Sequence, residues 1–225
     1  MCFSATASFI VGGSLAVFGT VTLKLASDAN NNRNTLPFAA IPLLFGVQQL
    51  VEGGLWFSIE HDMEQLKTIT TYLFTMFSHM VWPAFVPFAV AMLERRQGLA
   101  AWRWRLMWSL RIIGLAVAFL LIGLVAMQPL MAVVDHHIIY VTPVFYDWPM
   151  MVFYVVATCF SCLLSTHRMV RLFGLLVLTF FFVSYWFYTA AFFSVWCFFA
   201  AILSMVIYIH FRGGDAVGRQ WREGR

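Results

Sequence analysis

Long apolar runs, separated by short charged or polar stretches, are the feature that most restricts how this 225-residue chain can fold. A helix that crosses the hydrocarbon of a bilayer needs roughly 20 mostly apolar residues, and seven runs come close to or exceed that length. They cover residues 4–24, 37–58, 68–93, 107–131, 148–166, 170–187 and 190–211. The sequence therefore predicts an all-α integral membrane bundle of seven transmembrane helices.

The composition supports the same class of protein. Apolar residues make up 62% of the chain and charged residues 11%, whereas an average soluble domain carries about 25% charged residues. A monomer of this composition in water would expose large apolar patches, so the bilayer is the expected surrounding. We predict one transmembrane domain over residues 1–212 and a basic cytoplasmic tail over residues 213–225.

The connections between the runs alternate between basic and non-basic, which indicates a direction across the membrane. Cytoplasmic loops carry an excess of Lys and Arg, so the pattern predicts an N-terminus outside and a C-terminus in the cytoplasm. Because the basic residues cluster at the ends of the runs, the net charge of +4 does not indicate nucleic-acid binding. The third connection also holds the acidic Glu94 among its arginines.

Two connections carry local predictions. Residues 172–211 are nearly unbroken apolar sequence, and one helix of that length would be about 60 Å long, roughly twice the hydrocarbon thickness. We therefore predict a turn near residues 185–188, whose aromatic side chains suit the membrane interface. Residues 137–141 are β-prone and predict a short extended piece in an outer loop. Asp135, His136 and His137 resemble a metal-binding cluster, but the side chains of adjacent residues diverge, so a solvated loop is the preferred interpretation.

Glu52 is the one acidic side chain inside a predicted span. Carboxylates in hydrocarbon are costly and often mark function. Gln48, Glu52 and Trp56 share one helix face, and Gln49 flanks it; amides can donate to an ionised carboxylate or accept from a protonated one. Two interpretations stay open: a structural hydrogen-bonding residue held by Gln48 or Gln49, or a proton carrier, ion ligand, substrate anchor or metal ligand.

Helix rise places other polar groups at a similar depth. At about 1.5 Å per residue, Glu52, Ser194 and Cys197 lie about 9, 6 and 10 Å from the outer ends of their spans, and His79 lies about 16 Å deep. We predict a multi-pass protein that binds or transports a small solute or a proton through an outer-leaflet pocket centred on Glu52. The predicted ligand-binding residues are Glu52, Gln48, Gln49, His79, Ser194 and Trp82.

Two other functions remain open at this stage. In the first, Cys2, Glu52, His79 and Cys197 form a membrane-embedded metal site or enzyme, since thiolate, imidazole and carboxylate ligands suit zinc and some other transition metals. In the second, the chain is an accessory subunit of a larger membrane complex, or a homo-oligomer, and the same residues only pack against neighbouring helices.

Three stretches resemble an uncharacterised family of bacterial polytopic membrane proteins. They are residues 1–9 (MCFSATASF), 42–54 (PLLFGVQQLVEGG) and 194–201 (SVWCFFAA). The resemblance implies a location in the bacterial inner membrane and no particular activity. It brings together Cys2, Ser4, Gln48, Gln49, Glu52, Ser194 and Cys197.

The architecture also resembles the seven-helix transporters of the PQ-loop type, which are built as three plus one plus three helices with a site between parallel repeats. Residues 78–85 (SHMVWPAF) are similar to residues 194–199 (SVWCFF), with a different tryptophan spacing. The proline–glutamine pair of those transporters is missing here, so the resemblance is one of architecture alone.

Overall fold

The structure is a computed structural model that describes residues 4–29, 33–94, 100–127, 130–135, 137–141 and 148–213. These residues form seven helices and one β-hairpin. The helices are α1 (Ala5–Ala29), α2 (Arg33–Glu60), α3 (Glu64–Leu93), α4 (Ala101–Met127), α5 (Pro149–Leu163), α6 (Arg168–Phe187) and α7 (Phe192–Gly213). The strands are β1 (Met131–Asp135) and β2 (His137–Val141).

The predicted all-α class is confirmed, and six of the helices are long and apolar enough to cross a membrane. The exception is α5, which is apolar but shorter than these six. At about 1.5 Å per residue it extends roughly 22 Å, less than the about 30 Å of a typical hydrocarbon core. The prediction of seven spanning helices is thus supported for six of them by length and composition.

Several predicted boundaries were wrong by a helical turn or more. α4 covers Ala101–Met127 rather than 107–131, and α3 begins at Glu64 rather than at residue 68. Both helices begin before their apolar runs because Arg and Lys stems can lie along apolar surface while their charged ends reach water. Met131 belongs to a strand, which agrees with a preceding Pro129 that cannot donate a helical hydrogen bond.

The β-hairpin confirms the extended segment predicted at residues 137–141. β1 and β2 pair antiparallel, from Met131 opposite Val141 to Asp135 opposite His137. On its inner face, Ala132, Ile138 and Tyr140 are buried against α2, α3 and α7. The hairpin therefore covers one end of the bundle, which we call the hairpin end. His136 lies outside the described residues.

α3 contacts α2, α4 and α5, and α7 contacts α1, α2 and α6. One contact is so close that only glycine fits: a Cβ on Gly114 of α4 would lie 1.9 Å from the backbone oxygen of Pro83 in α3.

The predicted turn between α6 and α7 is confirmed, because α6 ends at Phe187 and a short 3-10 turn, Thr189–Ala191, leads into α7.

Candidate functional site

The carboxyl group of Glu52 lies inside the bundle and is 0% exposed. The hydroxyl of Ser194 in α7 donates to Glu52 Oε1 at 2.5 Å. The side-chain amide of Gln49, in the same helix as Glu52, donates to Glu52 Oε2 at 3.3 Å. The structure therefore brings together three of the predicted ligand-binding residues, and both of these hydrogen-bond donors are neutral.

Gln48 and Trp82 form a second hydrogen bond beside this carboxyl group. The indole Nε1 of Trp82 in α3 donates to Gln48 Oε1 at 2.6 Å, between two buried side chains. The ring of Trp82 stacks on Phe45 of α2 with a centroid distance of 3.9 Å. The Gln48 side chain also lies beside the thiol of Cys197. α2, α3 and α7 therefore meet at the level of Gln48 and Glu52.

His79 is buried in α3 within a π-helical stretch, Met76–Val81. Its Nδ1 lies 2.5 Å from the hydroxyl of Ser78, and its ring packs at 4.7 Å from the ring of Phe193, the residue before Ser194. The hydroxyl of Tyr154 in α5 donates to the Ser78 carbonyl at 2.6 Å. Single π-turns inside α-helices occur frequently at functional sites.

Three polar atoms around Glu52 are buried and have no hydrogen-bond partner within the described part of the chain. They are the amide nitrogen of Gln48, the amide oxygen of Gln49 and the indole nitrogen of Trp56. Buried polar atoms usually find a partner in the protein or in ordered water. This cluster therefore offers two donors and one acceptor to a water molecule or a small polar solute.

The β-hairpin closes the cluster from the hairpin end. Tyr140 of β2 stacks on Phe74 of α3 with ring centroids 4.5 Å apart and nearly parallel planes. Both rings belong to a buried group with Leu55, Trp56 and Cys197. Within this group, Trp56 lies about one turn from Glu52 along α2. An approach to Glu52 from the hairpin end therefore passes this aromatic layer.

An internal cavity of about 40 Å³ lies on the other side of Trp82 and Cys197. Its lining is almost wholly apolar and includes Tyr154, Cys159, Cys162 and Trp196. One water molecule needs about 10–15 Å³ of such space and several polar partners. The cavity thus has room for about three water molecules but offers them little hydrogen bonding.

The metal-site alternative is not assembled by the residues that the structure describes. Among them, no group of three or more His, Cys, Asp or Glu side chains is close enough to hold one ion, so Glu52, His79 and Cys197 do not share a position for a metal. Cys2, the fourth predicted ligand, lies outside the described residues. A zinc or other transition-metal site that includes Cys2 stays a prediction.

A family of unknown function, DUF6629, matches residues 1–221. The chain belongs to this family. The predicted membership of an uncharacterised family is thereby confirmed, and the match includes all three stretches that carried the resemblance. No curated protein and no solved structure matches the chain.

A second buried carboxylate in this DUF6629 protein was not predicted as part of a site. Glu94, at the end of α3, is 6% exposed. It accepts hydrogen bonds from the Ser165 hydroxyl at 2.5 Å and from the backbone and hydroxyl of Thr166, each at 2.7 Å. Arg103 and Arg171 donate to backbone carbonyls of the same turn.

Glu94 therefore ties α3 to the turn between α5 and α6 at the end of the bundle opposite the hairpin. Sequence reasoning placed this residue in a charged loop. The spacing carries no signal for this contact, because Ser165 and Thr166 come 71 and 72 positions after Glu94 in the chain. All of its described partners lie in a single turn, which is the arrangement of a structural contact.

Proposed function

We propose that this protein is a multi-pass membrane protein in which Glu52 binds and releases a proton, coupled to the binding or movement of a small polar solute. The observation that carries the proposal is the fully buried carboxyl group of Glu52, held by Ser194 from another helix and by Gln49 from its own. An ionisable residue at such a position in an apolar bundle is a functional candidate by default.

The chemistry of these two neighbours suits a change of protonation. A hydroxyl group can donate one hydrogen bond and accept others, and a primary amide has both donors and acceptors. Ser194 and Gln49 can therefore donate to the carboxylate, and by rotation can accept from the carboxylic acid. Because each form keeps its hydrogen bonds, the proton can come and go without leaving a buried polar group unsatisfied, which would be costly.

The nature of the solute follows from the open positions of the cluster. The amide nitrogen of Gln48 and the indole nitrogen of Trp56 can donate, and the amide oxygen of Gln49 can accept. A small molecule with both a donor and an acceptor complements this set, whereas a large or strongly charged one does not. His79 would adjust the position of Ser194 through its ring contact with Phe193.

The direction of the chain completes the proposal. With the N-terminus outside and the tail 213–225 in the cytoplasm, as the charge alternation predicts, the hairpin end faces outside and Glu52 lies in the outer half of a bacterial inner membrane. A solute would then enter past Tyr140 and Phe74. The residues proposed to bind it are those predicted from the sequence: Glu52, Gln48, Gln49, His79, Ser194 and Trp82.

Infrared difference spectroscopy of the purified protein in lipid tests the protonation of Glu52 directly. A protonated carboxylic acid has a C=O band that a carboxylate lacks, so we expect a pH-dependent band in the wild type that is missing in Glu52→Gln. Glu94→Gln is the matched control, since it removes the other carboxyl that is buried in the described part of the chain and should leave this band in place.

Proton movement is the second measurement. Vesicles containing the protein and a pH-sensitive dye are exposed to an imposed membrane potential, and we expect flux in the wild type and in Glu94→Gln that is lost in Glu52→Gln. If the band and the flux of Glu52→Gln equal those of the wild type, Glu52 is a structural hydrogen-bonding residue and the proposal is wrong.

A further inference from the structure

Arg111 is a cation inside the apolar helix α4, and none of the roles described above uses it. Its guanidinium carbon lies 4.2 Å from the ring centroid of Trp108 and 5.2 Å from that of Phe88 in α3. The residue is half-buried. Throughout the described ranges, no carboxylate or carbonyl oxygen forms a salt bridge or hydrogen bond with it.

This environment leaves the guanidinium group incompletely satisfied. Aromatic faces stabilise a cation electrostatically, but they do not replace oxygen acceptors for the five N–H groups of arginine. An arginine within an apolar span is costly unless it is paired or reaches a polar surface. At about 1.5 Å per residue, Arg111 lies about 9 Å further along α4 than Arg105, so an acceptor must reach it between the helices or from the interface.

A groove leads from Arg111 along the surface between α3 and α4. It encloses about 330 Å³ and is lined by Val81, Ala84, Phe85, Phe88, Arg111 and Leu115. Phe88 and Arg111 lie at the end nearer to Arg103 and Arg105, while Val81 and Leu115 lie further from it along their helices. The groove is therefore charged at one end and apolar along the rest of its length.

We propose that this groove binds one anionic phospholipid, with its phosphodiester at Arg111 and an acyl chain along Val81, Ala84 and Leu115. Guanidinium groups recognise phosphate through paired N–H···O hydrogen bonds, and basic pockets between membrane helices bind the head groups of anionic lipids. A groove of this volume, with one cation among its lining residues, suits one head group and one chain. The inference rests on the proposed membrane location and does not depend on Glu52.

Native mass spectrometry of the full chain, released from detergent with added lipid, tests this inference. Phosphatidylglycerol and phosphatidylcholine with identical acyl chains are titrated in parallel. We expect the wild type to retain phosphatidylglycerol preferentially, and Arg111→Gln to lower that binding about fivefold. The matched control is Arg105→Gln, an exposed arginine of the same helix, for which binding should stay within about twofold.

A second variant distinguishes a blocked groove from a damaged fold. Ala84→Phe keeps Arg111 but fills the path of the acyl chain, and it should also lower phosphatidylglycerol binding in a protein that elutes and melts like the wild type. Equal binding of both lipids by the wild type, or unchanged binding in Arg111→Gln and in Ala84→Phe, would overturn the proposal. Glu52→Gln should bind phosphatidylglycerol normally, so failure of the proton proposal is distinguishable from failure of this one.

Discussion

Ser194 Oγ lies 2.5 Å from Glu52 Oε1 and donates a hydrogen bond that joins residues 142 positions apart in the chain. Both side chains are 0% exposed. The contact connects α7 to α2 at the level where Trp82 of α3 reaches Gln48. Removing this hydrogen bond should therefore affect both the protonation of the Glu52 carboxyl group and the packing of these three helices.

Ser194→Ala is expected to destabilise the protein by about 1–2 kcal/mol, because a buried carboxyl group loses a short hydrogen bond and keeps its desolvation cost. Unfolding in mixed micelles, followed by circular dichroism, measures the change. The control is Ser204→Ala in the same helix, where the buried hydroxyl donates to the Ala201 carbonyl of its own helix. An equal or larger loss for Ser204→Ala would contradict the importance of the interhelical contact.

Gly114→Ala is expected to separate α3 from α4, because the new Cβ would lie 1.9 Å from the backbone oxygen of Pro83. Overpacking of this kind costs about 1–3 kcal/mol, and a rigid backbone atom cannot move aside as a side chain can. Gly123→Ala in the same helix is the matched control, since no described atom lies within 4 Å of its added Cβ. Gly123→Ala should be neutral or slightly stabilising; equal melting temperatures for the two variants would show that the close contact is not formed.

Tyr140→Ala is expected to open the hairpin end, because it removes the ring that stacks on Phe74 above the Glu52 cluster. Cys197 is 4% exposed and belongs to the same buried group, so its thiol reports on access. Modification by a small maleimide, resolved by peptide mass spectrometry, should be about tenfold faster in Tyr140→Ala, which corresponds to roughly 1.4 kcal/mol in the opening equilibrium.

The control for the hairpin is Tyr208→Ala in α7, whose ring instead packs against Phe18. Its Cys197 should be modified at the wild-type rate. If Tyr140→Ala leaves the Cys197 rate unchanged, the hairpin does not limit access to the cluster.

Local sequence patterns were sufficient to predict most of the fold. Apolar runs predicted the helices because a helix in an apolar surrounding satisfies its own backbone hydrogen bonds, and the β-prone residues 137–141 predicted strand β2. Boundaries were less accurate, as α4 shows, because the Trp and Arg residues that precede its apolar run belong to the helix. The shortness of α5 was also missed, since residues 164–166 are compatible with helix by composition but form a turn that Glu94 binds.

Only the part of the candidate site that lies within one helix was predictable from the sequence. Gln48, Gln49 and Glu52 lie on one side of one helix because of the 3.6-residue period, which the spacing shows directly. Depth counting placed Ser194 near Glu52 along the membrane normal, but depth says nothing about which helices are neighbours. The donation from Trp82 to Gln48 and the π-helical stretch around His79 had no signal in the spacing.

The amino-acid sequence by itself determined the class of this protein, the number and approximate extent of its helices, and the one acidic residue within their predicted spans, because these properties depend on composition and on contacts between residues close in the chain. Only the tertiary structure decided that Ser194 meets Glu52, that Glu94 holds a distant turn, and that Arg111 stands at the end of a groove. Those relationships depend on which helix faces lie against each other, and this is set by packing across the whole bundle, such as the fit of Gly114 against Pro83.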